Sequence, residues 1–174
     1  MATVTRYSAA IRIMHWIMAI LIIALLAMGW TMGQMEGPEK YQLMGIHKSL
    51  GLLALLLIII RIALRLSSSV PASAKTVFGK LARIDHWLLY GFMFLIPASG
   101  FIMSWAGGRD TAFFSFFAIP GAVEKIPAIA GTAHSIHINA NYGLGALIIL
   151  HILAFAYHQF VEKEDLLKRI SLKN

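Results

Sequence analysis

Residues 136–157 read IHINANYGLGALIILHILAFAY, an apolar stretch of membrane-spanning length that contains His137 and His151. The two histidines are fourteen positions apart. On an α-helix this is close to four turns, so both imidazoles project from nearly the same face, about 21 Å apart along the axis. The hydrocarbon core of a bilayer is about 30 Å thick, and histidine within it usually marks a function. The stretch therefore predicts a transmembrane helix with one functional centre towards each membrane face.

The composition of the whole chain also indicates a membrane protein. Of the 174 residues, 59% are hydrophobic and 13% are charged, whereas a soluble domain carries about 25% charged residues. The length fits a single domain, residues 1–174. The chain has no cysteine, which excludes disulfides, iron–sulfur clusters, thiolate zinc sites and covalently attached c-type haem. Histidine is left as the main metal ligand.

Three other apolar runs are long enough to cross a membrane, and they are too long for strands. Only helices or closed barrels cross a bilayer with every backbone group satisfied. We therefore predict an all-α fold, an integral membrane four-helix transmembrane bundle, with helices at about 11–32, 42–66, 84–106 and 133–160. Pro97 should bend the third helix. The connection 107–132 is rich in phenylalanine, and we expect it to lie along the membrane surface and cover one end of the bundle.

The basic residues predict the orientation of the bundle, because lysine and arginine collect on the cytoplasmic side of a membrane. The N-terminus, the second connection and the tail hold eleven of them, and the opposite connections hold four. Both termini are therefore predicted to lie in the cytoplasm. The net charge of +7 is explained by this bias, so no nucleic-acid partner is expected.

Six of the seven histidines fall into three pairs of matched depth once the helix ends are set. Two levels lie inside the membrane, about 10–14 Å from the cytoplasmic ends and about 6–8 Å from the outer ends of their helices. A third level lies within about 3 Å of the cytoplasmic boundary. The pairs are His15 with His151 at the inner level, His47 with His137 at the outer level, and His86 with His158 at the boundary.

Two neutral imidazoles at one depth on facing helices can serve as the axial ligands of a six-coordinate b-type haem. Small residues such as Gly51, one turn from His47, and Gly143, between the ligands of the fourth helix, would let a flat porphyrin approach the backbone. Three alternatives stay open. A buried histidine can simply hydrogen-bond across helices, and small residues can serve close helix packing. A zinc or copper site would instead need three or four nitrogens at one level.

Several motifs together resemble the bacterial cytochrome b561 family, a relative of the cytochrome b subunits of nickel–iron hydrogenases. They read IMHW at 13–16, IHKSLG at 46–51, DHW at 85–87, PASG at 97–100 and NYG at 141–143. The resemblance covers nearly the whole chain and implies a protein of the bacterial inner (plasma) membrane. It implies two haem b groups, ligated by His15, His47, His137 and His151. It also implies electron exchange with a membrane quinone, and one activity within the family is oxidation of superoxide with ubiquinone as acceptor.

These inferences combine into a hypothesis for the path of electrons. An electron from superoxide or from a soluble redox protein enters at the outer haem, crosses to the inner haem and reduces ubiquinone bound near the cytoplasmic face. The residues expected to donate protons to the quinone or to bind its carbonyls are His86, His158 and Lys75. The residues expected to pair with haem propionates are Arg12, Lys48 and Arg61, with contact to lipid headgroups as the alternative.

Two alternative functions stay open at this point. The haem groups could belong to a membrane anchor that passes electrons between a soluble redox partner and quinone. The chain could instead be a haem-free helical membrane carrier or assembly protein, in contact with membrane lipid as in the other cases. Superoxide is favoured only weakly by the outer connections, because their four basic residues are balanced by four acidic ones and so steer an anion little.

Overall fold

The computed structural model describes residues 6–69, 71 and 77–173. Four helices in this part of the chain are long and apolar enough to cross a membrane. They are α1 (Ala9–Gln34), α2 (Pro38–Ser67), α3 (Val77–Ala106) and α4 (Pro127–Ala156). A π-helical turn, Tyr157–Val161, extends α4, and a short helix, α5 (Leu166–Ile170), follows. The all-α transmembrane bundle predicted from hydropathy is confirmed.

Local signals set where the helices begin. The hydroxyl of Ser8 caps α1 by accepting from the backbone N–H of Ile11 (3.4 Å). Gly37 turns the chain into α2 with φ at 84°, a conformation that glycine adopts without steric cost. Both α2 and α4 then start with a proline, Pro38 and Pro127, at a position where the missing N–H is not needed.

Two helices begin earlier than hydropathy predicts. α3 starts at residue 77 rather than about 84, and α4 at residue 127 rather than about 133. A hydropathy boundary falls at charged residues such as Lys80 and Arg83, but their long side chains can reach the polar interface while the helix continues. His86 consequently lies well inside α3 rather than at its end.

Neighbouring helices pack in chain order, α1 with α2, α2 with α3 and α3 with α4. One cluster of buried side chains draws on all four helices and consists of Ile22, Ala54, Ile96, Ala140 and Leu144. A second cluster joins the first three helices and consists of Met18, Ile58 and Tyr90. Across the described residues, α1 and α4 come close at few points, so the bundle is more open along this side.

The phenylalanine-rich connection after α3 contains a β-hairpin, which hydropathy does not predict. Its antiparallel strands are β1 (Thr111–Phe113) and β2 (Phe117–Ile119). The hydroxyl of Ser49 on α2 donates to the carbonyl of Ala112 (2.9 Å) and accepts from the backbone N–H of Phe114 (2.9 Å). The connection therefore packs against the N-terminal half of α2, and we call this the hairpin end of the bundle. That the connection covers this end along the membrane surface stays a prediction.

Both chain termini lie at the opposite end, which we call the termini end. The backbone N–H of Tyr7 donates to the carbonyl of Arg169 (3.2 Å), and the guanidinium of Arg12 donates to the carbonyl of Ser171 (2.6 Å). The two termini are therefore on one side of the membrane. That this side is the cytoplasm stays a prediction.

Candidate functional site

The structure brings together His47 on α2 and His137 on α4, which share a predicted depth. Their ring centroids are 6.3 Å apart and their planes are nearly perpendicular, at 85°. A metal–imidazole bond is about 2.0–2.1 Å long and the ring centre lies about 1 Å further on, so an ion shared by two rings separates their centroids by roughly 6 Å. The observed spacing fits a shared metal ion.

The backbone of α3 holds the ring of His137 close to Pro97, which lies inside the helix. Nδ1 of His137 lies 2.8 Å from the carbonyl oxygen of Ile96, so the ring donates from Nδ1 and keeps Nε2 for a ligand. Gly100 lies against the same ring, and a Cβ atom there would be 2.9 Å from its Nδ1 and Cε1 atoms. Pro97 leaves one backbone hydrogen bond of α3 unmade, and Gly100 has no side chain. This part of α3 therefore has room for the imidazole ring of His137.

A cavity next to this pair draws three lining residues from each of the four helices. They are Ile22, Leu25, Leu26, His47, Gly51, Ala54, Met93, Ile96, Pro97, His137, Asn141 and Leu144. A Cβ atom at Gly51 would meet nothing within 4 Å. Nδ1 of His47 is buried without a hydrogen-bond partner among the described residues, although buried polar atoms are normally paired. Facing imidazoles, an apolar lining and open space at Gly51 are the kinds of residues and surroundings that a haem site uses.

Gly143 does not serve the role expected of it. A Cβ atom at Gly143 would be 2.7 Å from Cε1 of Phe92, so this glycine lets the Phe92 ring of α3 pack directly onto α4. Close helix packing, the alternative reading of a small residue, therefore explains Gly143. The sequence could not tell whether Gly143 admits a porphyrin or a neighbouring helix, because the side chain that faces it decides between the two.

The termini end holds a second group of histidines around His151 on α4. Nδ1 of His151 is 2.9 Å from Oδ2 of Asp85 on α3, a contact that orients the ring and keeps Nε2 for a ligand. The ring of His86 packs edge-on against His151 with centroids 5.5 Å apart, closer than the roughly 6 Å of two rings that share a metal ion. His15 on α1 lies within electrostatic range of both rings, which fits its predicted pairing with His151 across the open side of the bundle.

Arg61 on α2 brings a positive charge to this group. Its Nε and Nη1 atoms are buried without hydrogen-bond partners in the described part of the chain. Two unpaired guanidinium donors suit a carboxylate that these residues do not supply themselves. The propionate groups of a haem fit this requirement, so the termini end also has residues suited to haem.

One contact at the termini end differs from what an iron ligand needs. Nη2 of Arg61 lies 3.2 Å from Nδ1 of His15, and since arginine can only donate, Nδ1 of His15 accepts. A histidine that binds metal through Nε2 carries its proton on Nδ1 instead. Ligation of iron by His15 therefore requires Arg61 to release Nδ1, and haem propionates are natural acceptors for the released guanidinium.

Two of the three residues predicted to serve quinone, His86 and His158, lie in the described part of the chain. His86 lies nine residues after the first residue of α3, and its ring meets His151 rather than marking the membrane boundary, so the depth inferred for it from sequence is wrong. His158 lies in the π-helical turn, with Nδ1 3.7 Å from Oε1 of Glu164. Lys75 lies outside the described residues.

Two basic residues predicted to bind propionates contact backbone carbonyls. The guanidinium of Arg12 donates to the carbonyl of Ser171 (2.6 Å), and Nζ of Lys48 donates to the carbonyl of Asp110 (3.0 Å). Arg12 thereby holds the tail at the termini end, and Lys48 holds the connection that carries the hairpin. Their role towards haem stays a prediction, whereas Arg61 lies directly beside a predicted ligand.

Two residues of the site were not identified from the sequence. Asp85 had a usable signal, because an acidic residue inside a membrane-spanning segment usually has a function. Ser49 had none, since serine in a helix often bonds to its own backbone, as Ser49 also does with the carbonyl of Gly45 (3.2 Å). Its contact with the hairpin depends on how the distant connection folds.

The chain is similar to known proteins along nearly its whole length. A family model described as prokaryotic cytochrome b561 matches residues 6–171. Cytochrome b561 homolog 2 of Escherichia coli (strain K12) is 30% identical over 179 residues, which covers 97% of this chain and 92% of that protein. Probable superoxide oxidase CybB of Yersinia pestis is 28% identical over 170 residues, with 91% and 92% covered. Cytochrome b562 of Cereibacter sphaeroides is 28% identical over 163 residues, with 90% and 89% covered.

Proposed function

This chain belongs to the prokaryotic cytochrome b561 family and is therefore a bacterial membrane electron-transfer protein that binds haem b, and we propose that it oxidises superoxide and reduces ubiquinone. Two superoxide ions would lose one electron each and become two O₂ molecules, while one ubiquinone gains two electrons and two protons and becomes ubiquinol. The observation that carries the proposal is the histidine pair His47 and His137 beside a cavity, with a second histidine group around His151 on the same helix. Membership of a cytochrome family argues against the haem-free alternative.

We assign one haem b to each predicted pair, His47 with His137 and His15 with His151. Haem iron supplies one-electron chemistry when it is bound. The chain orients the ligands through the acceptors at Nδ1 of His137 and His151, and the apolar lining of the cavity excludes water from the hairpin-end site. Arg61 supplies two donors for propionates at the termini end.

Superoxide is proposed to arrive at the hairpin end, near His47. Lys48 lies within electrostatic range of Arg109, and Asp110 offsets part of their joint charge. A local positive charge raises the concentration of a small anion beside it. The relative in Yersinia pestis that is named a probable superoxide oxidase also supports this substrate.

Ubiquinone is proposed to bind at the termini end, beside His86. The ring of His86 contacts that of His151, so a quinone bonded to His86 would lie close to the termini-end centre. An imidazole can accept and donate protons, so His86 is placed to deliver one of the two protons that reduction needs. His158, with Glu164 3.7 Å away, and Lys75 are proposed to supply protons from the aqueous side.

The bundle is proposed to lie in the inner membrane with its hairpin end in the periplasm and both termini in the cytoplasm. The excess of basic residues at the termini end supports this orientation. Superoxide would then be oxidised on the periplasmic side, and the protons used to make ubiquinol would come from the cytoplasm.

The proposal is tested with the detergent-purified protein. We expect b-type bands in a dithionite-reduced minus oxidised spectrum and about two haems per chain. Superoxide generated enzymatically should reduce the haem, and with ubiquinone present it should form ubiquinol. Superoxide dismutase should abolish both reactions.

Other outcomes would redirect the assignment. A colourless protein would contradict haem binding. Haem that is reduced by quinol but not by superoxide would overturn the superoxide reaction and favour the membrane anchor, which passes electrons between a soluble redox partner and quinone. Reduction that persists in the presence of superoxide dismutase would show that another reductant in the assay is responsible.

A further inference from the structure

The two proposed iron ligands on α4 have different hydrogen-bond acceptors. Nδ1 of His137 faces the carbonyl oxygen of Ile96 at 2.8 Å, a neutral group. Nδ1 of His151 faces a carboxylate oxygen of Asp85 at 2.9 Å. Both histidines are half-buried on the same helix, and the charge of the acceptor is one clear difference between their surroundings.

Asp85 is well placed to act on His151. Its side chain is 15% exposed, and among the described residues its one ion pair is with His151. Its other carboxylate oxygen, Oδ1, is buried without a hydrogen-bond partner in the same part of the chain. A carboxylate held out of water interacts strongly with the partner it has, so we expect a strong contact with His151.

We propose that Asp85 is the positioning residue of His151 and that its charge lowers the reduction potential of the iron held there. A metal-bound histidine that donates Nδ1–H to a carboxylate is fixed in one tautomer and orientation and becomes a more basic ligand. A more basic ligand stabilises ferric relative to ferrous iron, and ligand hydrogen bonding is one of the ways a protein tunes haem. The inference rests on the proposed function, because it requires haem at His151.

Arg61 acts in the opposite direction on the other side of the same centre. Its guanidinium lies 3.2 Å from Nδ1 of His15. With haem bound we expect it to turn to the propionates, where its positive charge still favours reduced iron. The termini-end centre is thus placed between one negative and one positive side chain, and the contact of His137 with a neutral carbonyl has no such charge. Removal of the Asp85 charge takes away a negative group that favours ferric iron, so the potential should move in one direction only, towards more positive values.

The experiment is a redox titration of the purified holoprotein followed by its visible spectrum. Asp85→Asn keeps an oxygen acceptor of nearly the same shape and removes the charge. We expect one midpoint potential to become more positive while the other stays in place. The titration is repeated in a His47→Ala background, which should retain the termini-end haem alone and so assigns the shifted step.

Asp110→Asn is the matched control, because it removes the same charge from an exposed carboxylate at the hairpin end, where Oδ1 accepts from the backbone N–H of Gly121 (3.0 Å). It should leave the termini-end midpoint where it is. An Asp85→Asn protein with two haems and unchanged midpoints would overturn the inference. An equal shift of both midpoints would also overturn it, since that would show a general effect of charge.

Haem loss has a defined meaning in this series. If Asp85→Asn loses the termini-end haem, Asp85→Glu decides the outcome. Retention in Asp85→Glu shows that a carboxylate is required at this position and supports the inference, whereas loss in both variants shows that packing is responsible and overturns it. A wild-type protein without haem would overturn the proposed function as well, and this is seen before any variant is made.

Discussion

The four proposed ligand histidines differ in what lies at the ring nitrogen Nδ1. A backbone carbonyl faces His137, a carboxylate faces His151 and a guanidinium faces His15. Nδ1 of His47 has no partner among the described residues. Loss of a hydrogen-bond partner of a metal ligand typically changes metal affinity or activity by about 10- to 100-fold. The four ligands should therefore not respond equally to changes in their surroundings.

The assignment of ligands predicts selective loss of haem. His137→Ala and His151→Ala should each reduce the haem content from about two to about one per chain, because each removes one axial ligand of one haem. The haem-to-protein ratio of the purified variants measures this. The control is His134→Ala, an exposed histidine on the same helix, which should keep both haems. Full haem content in His137→Ala would contradict the pairing with His47.

The close approach of Gly100 to His137 predicts that a single methyl group disturbs the hairpin-end site. In Gly100→Ala the new Cβ atom would be 2.9 Å from the ring of His137, so the ring must shift and the hairpin-end haem should be lost or weakened. Gly91→Ala is a matched control in α3, because a Cβ atom there meets nothing within 4 Å. Visible spectra and haem content distinguish the two. Equal haem content in both variants would contradict the prediction that the ring of His137 needs a glycine at position 100.

At the scale of elements, polar contacts fix the hairpin on α2. The hydroxyl of Ser49 bonds to both Ala112 and Phe114, and Lys48 holds the carbonyl of Asp110. These residues follow His47 directly in α2, so the same turn of helix presents a proposed ligand and the anchor of the hairpin. The anchor of the hairpin therefore lies within one turn of a proposed ligand of the hairpin-end centre.

These contacts predict that Ser49→Ala destabilises the hairpin end. The change leaves a carbonyl and an N–H of the hairpin without their partner, which costs about 1–3 kcal/mol. Thermal unfolding and protease cleavage of the connection after α3 measure the effect. Ser135→Ala is the control, since that exposed hydroxyl bonds to the carbonyl of Gly131 in its own helix (3.1 Å). Equal stability of the two variants would show that Ser49 is not the anchor.

At the scale of the whole molecule, the bundle places both proposed centres on one helix. α4 carries His137 towards the hairpin end and His151 towards the termini end, about 21 Å apart along the axis. α3 packs closely on α4 and supplies the acceptors of both rings, Ile96 and Asp85. α1 and α2 supply the facing histidines, so the two centres together require all four helices.

The distribution of basic residues predicts the side of the membrane on which both termini lie. A green fluorescent protein fused after Asn174 should fluoresce in intact cells, because this reporter folds in the cytoplasm, whereas alkaline phosphatase fused at the same place should be inactive. Because both reporters are fused at the same residue, one of them should be active whichever side of the membrane the C-terminus lies on. Active alkaline phosphatase would reverse the orientation and place the superoxide reaction on the cytoplasmic side.

The sequence by itself determined the four spans, the common side of the termini and the closeness of His47 and His137. These follow from hydropathy and from depth along a helix, and both are properties of one segment at a time. The boundary error at α3 arose from the same local view, because Lys80 and Arg83 end a hydropathy window without ending the helix.

Only the tertiary structure decided which side chains meet at each depth. Lipid accepts apolar residues on every face of a helix, so the sequence pattern does not fix how each helix is rotated about its axis. The rotation of α3 and α4 about their axes brings Asp85 into contact with His151 and Phe92 into contact with Gly143. The contact of Ser49 with the hairpin depends further on a connection more than sixty residues away, and hydropathy holds no information about its path.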